Sequence, residues 1–246
     1  MTATAFAPRR KRTERQRTLD EGRVACGRGG WRPGAGRKRD PNRRDPAHRP
    51  RPDFASTHPV HVVLRTLPAV GRVRRPDGYQ ALHRALEVVR ERAGFRVIHA
   101  SLQGNHLHLV CEAADRGALA RGVQTVASVF ARLFNRRVGR RGQVFEHRYF
   151  AKAIASPRQV RRLLAYVLNN WRKHREDYAS PEARRLPVDP YSSGPTFDGW
   201  REHDELLGLP ASYRPLPTVA PTVWLLTTGW RRHRLIGVRE RPEGTV

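Results

Sequence analysis

The order in which apolar residues change their spacing along residues 58–174 constrains the fold of this chain more than any other feature. Alternation in HPVHVVLRT, residues 58–66, predicts a half-buried strand with Val60, Val62 and Leu64 on one face. A helical stripe follows, ending near Gly94, with apolar residues at Leu82, Leu86, Val89 and Ala93. Two more alternating runs, FRVIHASLQ and HLHLVCEA, meet at Gly104-Asn105, a dipeptide that favours a tight turn. These two runs should therefore form an antiparallel hairpin.

The second half of this segment repeats the pattern. Asp115 is a candidate N-cap for a second helix, whose apolar stripe consists of Leu119, Val123, Val126, Phe130 and Leu133. QVFEHRYFAKAIA, residues 143–155, is typical of a strand, and Ser156-Pro157 predicts the start of a third helix that runs to about His174. The order β, α, β, β, α, β, α predicts an α+β protein with a ferredoxin-like split βαβ sheet that carries helices on one face.

The regions on either side of this segment have a different composition. Residues 1–57 are rich in Arg, Gly and Pro and show no period, so we expect a disordered basic arm. Residues 58–178 are the predicted folded domain. Residues 179–246 form a Pro-rich C-terminal extension whose tryptophans either pack on the domain or stack on unpaired bases.

The charge of the chain indicates a polyanionic partner. The 246 residues include 48 Lys+Arg and 22 Asp+Glu, which gives 48 − 22 = +26 at pH 7. Nearly all of the positive charge is arginine, which binds phosphate through a planar fork and stacks on bases, although a GC-rich genome would also favour arginine. A small-molecule substrate would not require such an excess of charge, so a nucleic acid is the expected partner.

Several other classes of protein are disfavoured by what the sequence lacks. No apolar run reaches about 18 residues, which argues against a membrane span and a membrane partner. Cys26 and Cys111 lie far apart and form no CxxC pair, so neither a disulfide framework nor a cysteine-rich zinc site is expected. We expect a cytoplasmic bacterial protein that associates with the nucleoid.

A pair of histidines in the predicted hairpin is the first candidate site. In GNHLHLV, His106 and His108 flank one leucine, so on a strand both imidazoles project from the same face. Two imidazoles at this spacing make half of a metal site and need a third ligand from elsewhere. A histidine pair of this kind is, however, more often solvent-facing or hydrogen-bonded than metal-bound.

The predicted third helix carries the second candidate site. Its buried stripe is Val160, Leu163, Leu164, Val167, Leu168 and Trp171. Tyr166 and Asn170 fall about 130° and 90° from the centre of that stripe, so we expect both outside the core. They share one flank with Gln159, Arg162 and Lys173, a polar strip that would suit a phosphodiester.

The motifs GNHLHLV and YVLNN resemble two motifs of the single-tyrosine transposases. HLH is similar to their HUH motif, histidine, bulky apolar residue, histidine, and YVLNN is similar to their nucleophile helix. The resemblance is closest to the REP-associated tyrosine transposases and covers residues 58 to about 178, with the HUH endonuclease fold. GGWRPGAGRKR, DPYSSGPTFDGW and WRRHRLI also resemble segments that surround this domain in many members.

The resemblance implies a role for each matching position. Tyr166 matches the nucleophile, which attacks a DNA phosphodiester and forms a 5′-phosphotyrosine linkage. His106 and His108 match the metal-binding pair, and Asn170 matches the third ligand of a Mg²⁺ or Mn²⁺ ion. Two imidazoles favour Mn²⁺ or another transition metal, whereas Mg²⁺ prefers oxygen. LNNW replaces the HxNP of many members, so one of their histidines is absent here.

The function implied is a transposase-like enzyme that nicks and rejoins single-stranded DNA at a hairpin or palindromic repeat. The alternatives are a nucleic-acid-binding protein without cleavage activity and a replication initiator or relaxase of the same HUH chemistry. The chain could be a monomer or a homodimer. The expected DNA contacts come from the arm, the end of the second helix and the polar strip: Arg32, Arg37, Lys38, Arg39, Arg136, Arg137, Arg140, Arg141, Arg162 and Lys173.

The sequence does not fix the roles of three further side chains. Tyr149, in EHRYFAK, is a rival nucleophile beside Glu146, although packing or DNA contact is the favoured interpretation for it. His61 and His99 could face either the site or the solvent.

Overall fold

The computed structural model describes residues 51–146, 148–202 and 212–241. In this part of the chain four strands form one antiparallel sheet in the order β2-β3-β1-β4. Their bounds are Val60–Arg65 for β1, Phe95–Leu102 for β2, His106–Ala113 for β3 and Phe150–Ala153 for β4. This is the strand order of a split βαβ fold, so the predicted ferredoxin-like α+β class is confirmed.

Two helices cover one face of the sheet, as predicted. Helix α1 spans Pro76–Val89 and helix α2 spans Arg116–Arg137. The backbone N–H of Ala118 donates to the Asp115 side chain at 2.7 Å, which is the N-cap expected for α2. The apolar stripes of both helices pack on the inward residues of β1, β2 and β3, which gives a buried core that includes Val62, Leu86, Leu109 and Phe130.

A third helix covers the opposite face, so the expectation of helices on one face only is wrong. Helix α3 spans Pro157–Leu168, begins at the Ser156 cap, and buries its stripe against Ile98 and Val110 of the sheet. These two strand residues give the second face an apolar patch that has to be covered. The helix also ends earlier than predicted, at Leu168; after Asn169 a separate short helix, α4, spans Asn170–Lys173.

Two other boundaries differ from the prediction. The run of residues 143–155 forms a strand only at Phe150–Ala153, and Phe145 makes an isolated bridge with Thr66. The side chain of Gln143 donates to the carbonyls of Phe145 and Glu146, so these carbonyls are satisfied locally rather than by a strand partner. Helix α1 ends at Val89, and Gly94 lies further on in the left-handed region, at φ 71°.

The described part of the C-terminal extension packs on α3 and β2. It contains two short helices, α5 at Pro181–Arg185 and α6 at Trp224–Thr227. Trp200 and Trp230 are both 1% exposed and share an apolar cluster with α3, which supports that helix from the side away from the sheet. None of the helices within residues 51–146, 148–202 and 212–241 has the length and apolar character needed to cross a membrane.

Candidate active site

His106 and His108 lie at the start of β3, on the face that α3 covers. In the register of the sheet His108 pairs with Val63 and His106 with Arg65, so the four side chains share one face. The Nε2 atoms of the two histidines are 2.9 Å apart. The same-face placement expected from their spacing is therefore present, and both imidazoles reach one point.

Asn170 completes this cluster from α4. Its side-chain amide nitrogen lies 2.6 Å from Nε2 of His108 and 3.5 Å from Nε2 of His106. Its Oδ1 atom is buried and has no hydrogen-bond partner within the described residues. Oxygen and nitrogen of an amide occupy equivalent positions, so a rotation of 180° directs Oδ1 at both histidines. Two imidazole nitrogens and one amide oxygen then converge.

This donor set suits a divalent cation. Imidazole nitrogen binds transition metals such as Mn²⁺, and amide oxygen is a ligand for the harder Mg²⁺. A buried amide oxygen without a hydrogen-bond donor costs free energy, and a bound cation can take the place of that donor. Within the described residues no group of three or more His, Cys, Asp or Glu side chains could hold a metal ion, so this candidate site depends on the Asn170 amide as its third donor.

Each imidazole has a polar contact on the side away from the cluster that bears on its tautomer. Nδ1 of His106 lies 2.7 Å from Oδ1 of Asn105, a contact that needs the proton on Nδ1 and leaves a lone pair on Nε2. Nδ1 of His108 lies 3.0 Å from Nε2 of His61. When His108 donates in this contact, its Nε2 also carries a lone pair and can bind a cation.

Burial keeps these imidazoles neutral. It lowers the pKa of His61 to about 4, with a further contribution from the charge of Lys152. Burial also lowers the pKa of His106 to about 4 and the pKa of His108 well below its usual value, and the neighbouring imidazoles add to both shifts. The lone pairs are therefore available to a cation at neutral pH, without competition from protons.

Tyr166 lies against this cluster. The centroid of its ring is 5.3 Å from that of His108 and 6.1 Å from that of His61, with both pairs edge to face. Burial raises the pKa of the Tyr166 phenol, while the charge of Arg65 lowers it. The Nζ atom of Lys173 lies 5.0 Å from the centroid of the tyrosine ring. Two cations thus stand near a phenol that is neutral at pH 7.

The placement of Tyr166 and Asn170 corrects the prediction that they lie outside the core. Tyr166 is 8% exposed and Asn170 is fully buried, whereas Gln159, Arg162 and Lys173 are exposed as expected. The reason is that α3 is covered on both sides, by the sheet and by the C-terminal extension. The flank of α3 that carries Tyr166 therefore faces the histidines rather than solvent.

Tyr149, the rival nucleophile, belongs to the other side of the sheet. Phe150 pairs with Val63 on the histidine face, so the preceding residue points the opposite way and packs against the core beneath α1 and α2. The guanidinium of Arg51 lies 3.6 Å from the centroid of its ring. The geometry therefore separates Tyr149 from His106 and His108.

The cations predicted to contact DNA are spread over the surface. Arg162 and Lys173 are exposed beside Tyr166. The cluster at the end of α2 is on the other side of the sheet: Arg136 and Arg137 lie in the last turn of that helix, and Arg140 and Arg141 follow it. The predicted contacts in the arm lie outside the described residues: Arg32, Arg37, Lys38 and Arg39.

An open cavity of about 600 Å³ adjoins the cluster at His106. Arg65, Arg72 and His174 line it, together with the carboxylates of Glu146 and Glu176. Arg72 is paired with Glu176, but Arg65 faces the cavity on the same side of the sheet as His106. The cavity gives an extended ligand a way to reach the histidine pair from solvent.

Comparison with known proteins finds a match to a family model. Residues 55–170, a little under half of the chain, match the family model described as transposase IS200 like. No curated protein matches the sequence. Among solved structures, the chain is similar to a REP-associated tyrosine transposase bound to a REP hairpin, with 16% identity over 52% of this chain and 74% of that one, at a TM-score of 0.40. Since that score is low, the fold assignment rests on the strand order and registers given above.

Proposed function

We propose that the protein nicks and rejoins single-stranded DNA with Tyr166 as the nucleophile, because residues 55–170 match the family model described as transposase IS200 like. This match supports a transposase-like, DNA-processing function. The proposal adds the chemistry, a transesterification through a 5′-phosphotyrosine intermediate, and the substrate, a DNA hairpin or palindromic repeat.

One observation carries this proposal: the ring of Tyr166 packs on His108, whose Nε2 atom meets His106 and Asn170. A phenol held beside two imidazole nitrogens and an amide has little use in a protein that only coats DNA. In an enzyme, the same arrangement places a nucleophile next to a phosphate-binding cation.

The reaction balances without any energy source from outside. The Tyr166 oxygen forms a bond to phosphorus as the phenol loses its proton, the bond from phosphorus to the 3′ oxygen breaks, and that oxygen leaves as a hydroxyl after it gains a proton. A free 3′-hydroxyl can later attack the phosphotyrosine and release Tyr166. The number of ester bonds is constant, so rejoining needs no ATP.

Three residues would hold the divalent ion, Mg²⁺ or Mn²⁺: His106, His108 and Asn170. When bound, the ion would orient a non-bridging phosphate oxygen and stabilise the charge that develops on it. When His61 accepts the proton of His108 Nδ1, His108 keeps a free lone pair on Nε2. The charge of Arg65 favours the anionic form of Tyr166 as its proton leaves, and Lys173 lies over the tyrosine ring.

The charge of the chain supports DNA as the substrate. With +26 at pH 7, the protein attracts any polyphosphate, and the exposed Arg162 and Lys173 bring cations to the entrance of the site. The four arginines near the end of α2 and the four predicted arm residues would contact DNA further from the reacting phosphate.

A covalent adduct tests the proposal. Purified protein, Mn²⁺ and a pool of single-stranded hairpin oligonucleotides should give a band that survives denaturing electrophoresis. Tyr166→Phe should abolish it, and Tyr149→Phe, which also removes a single hydroxyl, should leave it. Loss of the band in Tyr149→Phe with retention in Tyr166→Phe would overturn the assignment.

A further inference from the structure

Strand β4 is at the edge of the described sheet, and two of its side chains share the face of the histidines. Phe150 pairs with Val63 and Lys152 pairs with His61, so both side chains project on the side of Tyr166. The residue between them, Ala151, is partly buried towards the core of α1 and α2. The outer edge of the histidine face is thus formed by one aromatic ring and one cation.

Phe150 is unusual for a large apolar side chain, since 54% of it is exposed. Its ring makes an edge contact with His61, at 6.5 Å between centroids, and His61 in turn contacts Tyr166. The exposed ring is therefore one side chain away from the proposed nucleophile. An exposed aromatic ring in this position offers a surface on which a nucleobase can stack.

The charges around Tyr166 complement a DNA strand. Lys152 is exposed on the β4 side, and Lys173 lies over the tyrosine ring from α4. A strand whose phosphate reaches Tyr166 would run between these two ammonium groups. The base next to that phosphate would then lie at the open edge of the sheet, where Phe150 is.

We propose that Phe150 stacks on an unpaired base beside the reacting phosphate and that Lys152 binds the backbone next to it. The position of the reacting phosphate rests on the proposed function, but binding of the strand does not require cleavage. The partner is a single strand, because a paired base would present only its edge to the ring.

The test compares two ligands with the same phosphates. One is fluorescein-labelled dT20 and the other is a labelled strand of 20 abasic units, each titrated with the full chain in EDTA by anisotropy. Phe150→Ala should bind dT20 roughly 5- to 100-fold more weakly and bind the abasic strand like the wild type. Phe150→Trp, which keeps an aromatic ring, should bind dT20 within a few-fold of the wild type.

Two control variants separate base contact from charge. Lys152→Ala should weaken both ligands equally and lower the slope of log affinity against log salt by about 0.7, the value for one phosphate of a single strand. Val88→Ala, which changes a residue of similar exposure on α1, should affect neither ligand. If Phe150→Ala leaves dT20 binding unchanged, or weakens both ligands equally, the stacking proposal is wrong. Absence of the covalent adduct with wild-type protein would instead count against the proposed function.

Discussion

Nε2 of His61 lies 3.0 Å from Nδ1 of His108, and the direction of this hydrogen bond decides whether His108 can bind a cation. If His108 donates, its Nε2 atom has a lone pair; if His61 donates, a neutral His108 carries its proton on Nε2. The outer nitrogen of His61, Nδ1, has no partner within the described residues. His61, which is not itself a proposed ligand, therefore affects whether His108 can act as one.

Substitution of His61 should therefore weaken ion binding without removing a ligand. His61→Leu cannot accept the proton of His108, so we expect Mn²⁺ affinity to fall about 10- to 100-fold. His61→Gln places an oxygen near the original Nε2 position and should stay within a few-fold of the wild type. A Mn²⁺ titration monitored by electron paramagnetic resonance measures the affinity of each variant. Equal affinity of all three proteins would contradict this role.

Asn170 offers a second test, of the atom that faces the cation. Asn170→Asp keeps an oxygen at this position and adds a charge, so Mn²⁺ should bind as tightly as in the wild type or more tightly. Asn170→Leu removes the oxygen and should cost at least about tenfold in affinity. The same titration applies, with thermal unfolding in EDTA to verify the fold. A loss in Asn170→Asp as large as in Asn170→Leu would show that the amide nitrogen, not the oxygen, faces the site.

The histidine pair should be separable from DNA binding. We expect His106→Ala combined with His108→Ala to abolish the covalent adduct, because the cation loses two of its three ligands. Binding of a single-stranded oligonucleotide in EDTA should keep the affinity and the salt dependence of the wild type, since the cations that contact phosphate are elsewhere. Loss of cleavage and of binding together would indicate that the histidines maintain the fold.

The buried histidines also predict a dependence of stability on pH. His61 stays neutral in the folded state down to about pH 4, whereas in the unfolded chain it gains a proton near pH 6.5. The unfolded state therefore binds more protons between these values, and the free energy of unfolding falls as the pH is lowered, by at most about 1.4 kcal/mol per pH unit for each such histidine. Urea unfolding in EDTA at pH 7 and pH 5 measures this change. The free energy of unfolding should fall less between the two pH values for His61→Gln than for the wild type. An identical fall in both proteins would contradict the shift.

Much of the fold was readable from periodicity and caps. The strand of Val60–Arg65, the hairpin at Gly104-Asn105 and the caps at Asp115 and Ser156 all follow from local sequence. The face of the sheet on which α3 packs could not be predicted in this way. An apolar stripe on a helix shows which of its residues are buried, but not which surface buries them. The pattern also did not show the interruption before β4: Phe145 still pairs with Thr66, but the strand itself begins only at Phe150.

Part of the candidate site could likewise be predicted from local sequence, and part could not. The alternation of HLHLV puts His106 and His108 on one face, and Asn170 lies one helical turn after Tyr166, so their relative positions are local. The contribution of His61 depends on the register of β1 with β3, in which Val63 lies opposite His108. Alternation alone does not show whether His61 faces the site or the solvent. The exposure of Phe150 could not be predicted either, because the sequence around it shows only the pattern of a strand.

In the proposed reaction the hydroxyl of Tyr166 becomes linked to DNA. The most direct measurement is mass spectrometry of the protein after incubation with Mn²⁺ and single-stranded hairpin DNA, nuclease trimming and proteolysis. We expect the nucleotide remnant on the peptide that contains Tyr166 and on no other tyrosine. A remnant on Tyr149, or DNA binding with no linked peptide under any divalent ion, would contradict the account.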